Sequence, residues 1–138
     1  MIDMTASLSP EQARGLRHRA QLLGGSARSP REVVDRAVAL QGQDLPAVLR
    51  AIALRSAPGT TVDDVRAAFD SGALVRSWPM RGTLFATTPE HLASLLALTG
   101  TRTLQSMARR REQLELDDAT IDRAHEVAVA AQIGRAHV

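Results

Sequence analysis

Capped helical segments, an apolar composition almost without aromatic side chains, and one short turn-punctuated run late in the chain predict a mostly α fold with a small β-hairpin. This is the pattern of a winged helix-turn-helix. With 138 residues, 44% of them hydrophobic and 23% charged, the chain has a globular balance and the length of one ordinary domain or two small ones. Only 2% of the residues are aromatic. The core must therefore come from Leu, Val, Ile and Ala, which suits helices packed closely side by side.

The helix starts are clearly marked. Ser9-Pro10-Glu11-Gln12 and Ser29-Pro30-Arg31-Glu32 both have the capping-box form. Ser accepts from a first-turn N–H, Pro takes the first helical position where its missing donor costs nothing, and Gln or Glu reaches back. In the first helix Ala13, Leu16, Ala20 and Leu23 share a stripe, and Gly24-Gly25 ends the run. In the second, Val34, Ala37 and Val38 set up a stripe whose i+7 position is Gln41. A polar amide is thus expected on an apolar helix face, with Gly42 supplying the positive φ that closes the helix. Asp44 is placed to cap a third helix carrying Leu45, Val48, Leu49 and Ile52, which Ala57-Pro58-Gly59 stops. A fourth follows Thr61 over residues 62–71, with Asp63 and Asp64 near the positive end of its dipole.

From Ala73 the period changes. Leu74, Val75 and Trp78 before Pro79, then Thr83-Leu84-Phe85-Ala86-Thr87, predict two short strands around a turn containing Gly82. Thr88-Pro89-Glu90 opens a helix to about residue 98, Gly100 is expected to interrupt it, and a basic helical stretch with Arg109-Arg110-Arg111 continues over residues 101–114. A last helix starts near Asp117 and carries Ile121, Ala124, Val127 and Ala128. The expected organisation is a winged-helix domain over residues 8–88 and the helical start of a second, incomplete unit over 89–132. The final hexapeptide, Ile133-Gly134-Arg135-Ala136-His137-Val138, is similar to one reading-frame translation of a widely used sequencing adapter. The natural protein is accordingly expected to continue beyond Gln132, and His137 is assigned to no site.

Several functions are excluded by composition. There is no cysteine, hence no disulfide, thiolate nucleophile or thiolate metal site, and the four histidines are scattered with no HExxH among them. His18, His91 and His125 read as surface or rim residues, so neither a metal nor another cofactor is expected. No apolar run is long enough to cross a bilayer, and Met1-Ile2-Asp3-Met4 lacks the basic and apolar regions of a signal peptide. A cytoplasmic protein is expected. The net charge of +2 is mild, yet all 17 basic residues are arginine. Guanidinium groups fork onto phosphate oxygens; a GC-rich coding sequence would also give arginine throughout. The arginines permit nucleic-acid binding without proving it.

Two segments carry a resemblance. Leu40-Gln41-Gly42-Gln43-Asp44 and Val75-Arg76-Ser77-Trp78-Pro79-Met80-Arg81-Gly82-Thr83-Leu84, in this order among the helices, resemble the N-terminal part of the winged-helix DNA glycosylases that remove alkylated purines and unhook interstrand crosslinks, the AlkZ-like family. The likeness covers about residues 8–132. It implies a tandem array of winged-helix units, double-stranded DNA as partner, and an active site containing the Gln-x-Gln motif, here Gln41 and Gln43. Asp44 is either an auxiliary water-activating base or an N-cap. Two departures stand out: the middle residue of the motif is usually aliphatic where this chain has Gly42, and histidine often occupies the position of Phe85.

The chemistry implied is plausible for amides. An N7-alkylated purine already carries positive charge and leaves without a strong general acid, so the enzyme mainly has to hold a water near the sugar carbon as positive charge develops there. A glutamine offers two donors and an acceptor and adds no competing charge. On a regular helix, residues two apart diverge by about 200°, so Gly42 would have to bend the backbone for both amides to converge. The bland alternatives are a helix-terminal amide for Gln41 and a solvated loop residue for Gln43. Arg76 and Arg81 flank the turn and reach phosphates if it is a wing. Arg109 and Arg110 lie either on a solvated helix face or along a DNA backbone. Trp78 is expected in the core. Three functions stay open: a glycosylase, a winged-helix DNA-binding regulator without catalysis, and an inert fragment.

Overall fold

The computed structural model describes residues 7–132. The chain divides between Thr99 and Gly100 into two units. The first holds α1 (Pro10–Ala20), α2 (Pro30–Ala37), β1 (Ala39–Gln41), α3 (Leu45–Arg55), α4 (Val62–Asp70), β2 (Val75–Met80), β3 (Thr83–Thr87) and the opening turns of α5 (Pro89–Gln113). The rest of α5 and α6 (Asp118–Gln132) belong to the second. Among the described residues the protein is mostly helical, as the sequence predicts, and its antiparallel sheet has three strands where the sequence predicts a two-stranded hairpin, β1 being the addition. No helix among the described residues is long and apolar enough to cross a membrane.

The capping signals are realised at atomic detail. Ser9 and Ser29 accept from the N–H groups of Gln12 and Glu32, whose side chains return the bond to the cap backbone. Thr61 and Asp64 form a third box at the start of α4. Asp44 Oδ1 accepts from the N–H of Ala47 at 3.0 Å and caps α3. Each of these bonds satisfies a donor that the first turn of a helix leaves without an internal partner.

The core is aliphatic. Val33 and Val34 of α2, Val48, Leu49 and Ile52 of α3, Val65 of α4, Leu74 and Ala86 are buried against one another, and Leu40, Leu45 and Phe69 pack around them. The three strands lie in the order β1-β3-β2, with both pairings antiparallel. Leu40 and Arg76 stand on either side of Ala86; Gln41 and Ser77 stand on either side of Phe85. Because side chains alternate across a strand, the first row faces the helices and the second faces outward. The hairpin between β2 and β3 has two central residues, Arg81 and Gly82, both at positive φ (57° and 67°), as a type I′ turn requires.

Four expectations need correction. Gln41 is not on a helix face: α2 stops at Ala37, Val38 takes a positive φ of 64°, and Gln41 ends a strand. The i+7 match was therefore accidental, because three apolar residues at helical spacing fit both the end of α2 and the start of β1. Gly42 does not supply a positive φ either; Val38 makes the reversal. Gly100 leaves α5 unbroken, since a lone glycine inside a helix costs only about 1 kcal/mol against alanine. Trp78 is 62% exposed and outside the core. Trp78 and Pro79 together oppose Leu84 in a bulge between Ser77 and Met80, and the bulge turns Pro79 inward and Trp78 out.

Candidate active site

The geometry around Gln41-Gly42-Gln43-Asp44 begins at Val38. A β-branched residue at φ 64°, ψ −52° is in a sparsely populated, strained conformation. It is held there from two sides: its N–H donates to Asp35 O at 3.1 Å, and its carbonyl accepts from Thr87 Oγ1 at 2.7 Å. The reversal sends the chain straight from α2 into β1, so the motif starts as a strand residue paired with β3 and leaves the sheet after Gly42.

The two amides do not follow strand alternation: only Gln41 belongs to β1, and the chain bends at Gln43 on its way into α3. The glycine has another reason to be there. A Cβ at this position would lie 3.0 Å from Ala86 N and 3.2 Å from the Phe85 carbonyl carbon, both backbone atoms, so only a residue without a side chain lets β1 approach β3 this closely.

The ladder then ends in a specific exchange of partners. The N–H of Gly42 donates to Leu84 O at 2.8 Å, and a regular antiparallel pair would return a bond from Leu84 N–H to Gly42 O. Instead Gly42 O accepts from Arg76 Nε at 2.6 Å, and Gln43 O accepts from Arg76 Nη2 at 2.9 Å. The N–H of Leu84 donates to the side-chain Oε1 of Gln43 at 3.3 Å. One amide oxygen thus replaces a backbone carbonyl, which fixes the orientation of the Gln43 side chain and directs its NH2 group away from the strand.

Gln41 is exposed at the end of β1 and lines a shallow surface cavity of about 280 Å³ with Arg81, Thr83 and Phe85. Its neighbours are the guanidinium carried by the hairpin turn, a hydroxyl and an aromatic ring. Immediately after Gln43, the capping carboxylate of Asp44 begins α3. A larger cavity of about 440 Å³, lined among others by Leu22, Arg36, Leu40 and Arg55, includes neither glutamine of the motif.

The structure thus gathers Gln41, Gln43, Asp44, Arg76 and Arg81 at one end of the sheet. Arg109 and Arg110 lie in the second unit, both exposed; Arg110 Nη1 donates to Gln113 Oε1 at 3.4 Å, and Arg111 pairs with Asp118 at 2.6 Å. No group of three or more acidic, histidine or cysteine side chains capable of holding a metal occurs among the described residues. Sequence reasoning missed Thr83 and Phe85 as cavity walls. Their period-two alternation along β3 was visible, but it points at Gln41 only once Gln41 is known to be a strand residue paired with Phe85.

Residues 34–137 match the family model of the AlkZ-like DNA glycosylases. No curated protein and no solved structure matches the chain significantly.

Proposed function

The chain belongs to the AlkZ-like DNA glycosylase family, and from that premise we propose that it hydrolyses the N-glycosidic bond of N7-alkylated purines or crosslinks in double-stranded DNA, with Gln41 and Gln43 carrying the reaction. Membership gives a DNA glycosylase type of role and DNA as partner; lesion, strand state and residue roles belong to the proposal. The observation that carries it is that both motif amides lie against β3: Gln41 is exposed in a cavity with Arg81, Thr83 and Phe85, and Gln43 Oε1 accepts from the N–H of Leu84.

In the reaction, the oxygen of a water bonds to C1′ as the C1′–N9 bond breaks. The bonding pair returns to the purine, whose positive charge it cancels, and the proton of the water passes to solvent. No strong acid is needed, because the leaving group is cationic before the bond breaks. The two amides then divide the work. With its acceptor committed to Leu84 N–H, Gln43 has its NH2 group to hold a sugar or phosphate oxygen. Gln41 has no committed group and is suited to orient the water through both ends of its amide. Asp44 keeps one oxygen beyond its capping bond and is an auxiliary acceptor for the proton. Arg81 at the turn, like Arg109 and Arg110, contributes positive charge toward phosphates, whereas the Arg76 guanidinium is taken up by the Gly42 and Gln43 carbonyls.

The DNA-bound architecture proposed with it is a winged helix over residues 8–88, followed by the start of a second unit over 89–132. The succession α2-β1-α3-α4-β2-β3 with sheet order β1-β3-β2 supports it, with the β2–β3 hairpin as wing. The same succession also suits a regulator without catalysis, so the test must separate the two. Duplex DNA containing N7-methylguanine is incubated with the wild type, Gln41→Ala and Gln43→Ala, and abasic sites are scored. Release by the wild type, reduced about a hundredfold or more in each variant, is expected. Binding without release would establish the regulator, neither would indicate an inert fragment, and release that survives both substitutions would remove the glutamines from the mechanism.

A further inference from the structure

The arginine best placed to act on the motif does so from a strand that is not its neighbour. Arg76 is on β2 and the motif follows β1, with β3 between them. Two strand spacings amount to about 10 Å, so a side chain crosses from β2 to β1 only where the residue between is small. In the row Leu40, Ala86, Arg76 that residue is a fully buried alanine. Over its methyl group the guanidinium reaches the carbonyls of two consecutive residues, Gly42 and Gln43.

We propose that Arg76 is a positioning residue for the glycosylase site: by bridging Gly42 O and Gln43 O it sets the direction of both amides, and phosphate contact is secondary to that role. This inference depends on the glycosylase reading above. Three observations converge on it. Arg76 takes the carbonyl that Leu84 N–H would otherwise use, and thereby makes Leu84 available to the Gln43 side chain. The planar fork of a guanidinium meets two neighbouring carbonyls at fixed separation, which an ammonium cannot do. Strand pairing holds the motif at Gln41 and the helix cap holds it at Asp44; between them Gly42 has no side chain of its own, and Arg76 is the group that ties the Gly42 and Gln43 carbonyls to the sheet.

The test compares the full chain with Arg76→Met and Arg76→Lys on the N7-methylguanine duplex, measuring the single-turnover rate of base release, DNA affinity over a range of salt, and amide hydrogen exchange at Gly42 to Leu84. The expected result for Arg76→Met is a rate lower by about a hundredfold, the size of effect that a small misplacement of reacting groups produces, with DNA affinity and its salt slope unchanged and faster exchange at Gly42 and Leu84. Arg76→Lys keeps the charge but reaches one carbonyl, so it gives an intermediate rate and answers the question even if the methionine variant loosens the sheet. A salt slope that falls by about one, together with weaker binding, would instead make Arg76 a phosphate contact. Unchanged rate and exchange would also overturn the proposal. A wild type that releases no base sinks the glycosylase reading, and with it the catalytic part of this one; exchange then decides whether the clamp itself exists.

Discussion

Residues 30–88 and residues 100–132 carry the same local signals for structure and differ in what those signals achieve. Both contain capped helices, apolar residues at helical spacing and several arginines. In the first segment the apolar positions close on each other, and Ile52, Val34 and Val65 are fully buried. In the second none of the side chains described is buried: Leu104 is 65% exposed and Val127 64%. Capping and periodicity decide that a helix forms; a facing apolar surface decides that it contributes to a core. The arginines differ likewise. Arg76 is directed onto two carbonyls by the strands around it, whereas Arg109 stands in solvent. The same residue type, at similar composition, has a defined geometry only where the packing supplies one.

The most severe test of this contrast is a pair of truncations. Ile52→Ala removes a buried side chain and leaves a cavity, at a cost of about 2–5 kcal/mol. Val127→Ala, mostly exposed, should alter stability by no more than about 0.5 kcal/mol. Denaturant melts followed by far-UV circular dichroism measure both. Equal losses would mean that residues 100–132 are packed as tightly as the core, and the contrast would fail.

Two glycines sharpen the comparison, with opposite expected signs. Gly42→Ala forces a methyl group against the backbone of Ala86 and Phe85, where no side chain can swing aside, and should destabilise by about 1–3 kcal/mol. Base release should fall as well, since β1 must part from β3. Gly100→Ala meets nothing within 4 Å and lies inside α5, so it should stabilise by up to about 1 kcal/mol. Thermal melts of the two variants read both signs directly. A harmless alanine at residue 42 would show that the close approach of β1 to β3 has no consequence.

These glycines also show what the sequence made legible. Where a helix starts is written locally, in a capping side chain joined by an early proline, by a Gln, Glu or Asp three residues on, or by both, and Ser9, Ser29, Thr61 and Asp44 all cap the helices that follow them. The turn at Gly82 is local too. The path through Val38 is not: nothing in Val38-Ala39-Leu40 excludes one more helical turn, and the strand exists because Thr87 and Leu84, more than forty residues later, accept it as a partner. The candidate residues could be named from the motif. Their arrangement could not, because it depends on Ala86 being small enough for Arg76 to cross, a condition joining three strands. Trp78 failed as a core residue for a related reason, since a bulge that turns one side chain outward is invisible to a count of apolar positions.

The weakest of the expected effects concerns acid. Ser29 N–H and then its hydroxyl hold the Glu32 carboxyl below its usual 4.5; Thr61 N–H and then its hydroxyl do the same for Asp64, from 3.8. In the second unit, Thr120 lowers Asp117 from 3.8, through its side chain first and its N–H second. A carboxyl whose folded pKa lies below its unfolded value contributes stability that is complete above the unfolded value and lost as pH falls through the folded one. The caps therefore hold fully above about pH 4.5 and weaken below it. All three groups are exposed, so solvent screening keeps the effect small. Glu32→Gln retains an acceptor that can close the box but cannot titrate, so its melting temperature should lose part of the wild type's dependence on pH between roughly 3 and 5. Asp117→Asn should flatten the helical signal of α6 over the same range while leaving the melt of the core unchanged. If instead the core melt follows Asp117, the two units unfold as one, and the difference in burial between them does not divide the chain energetically.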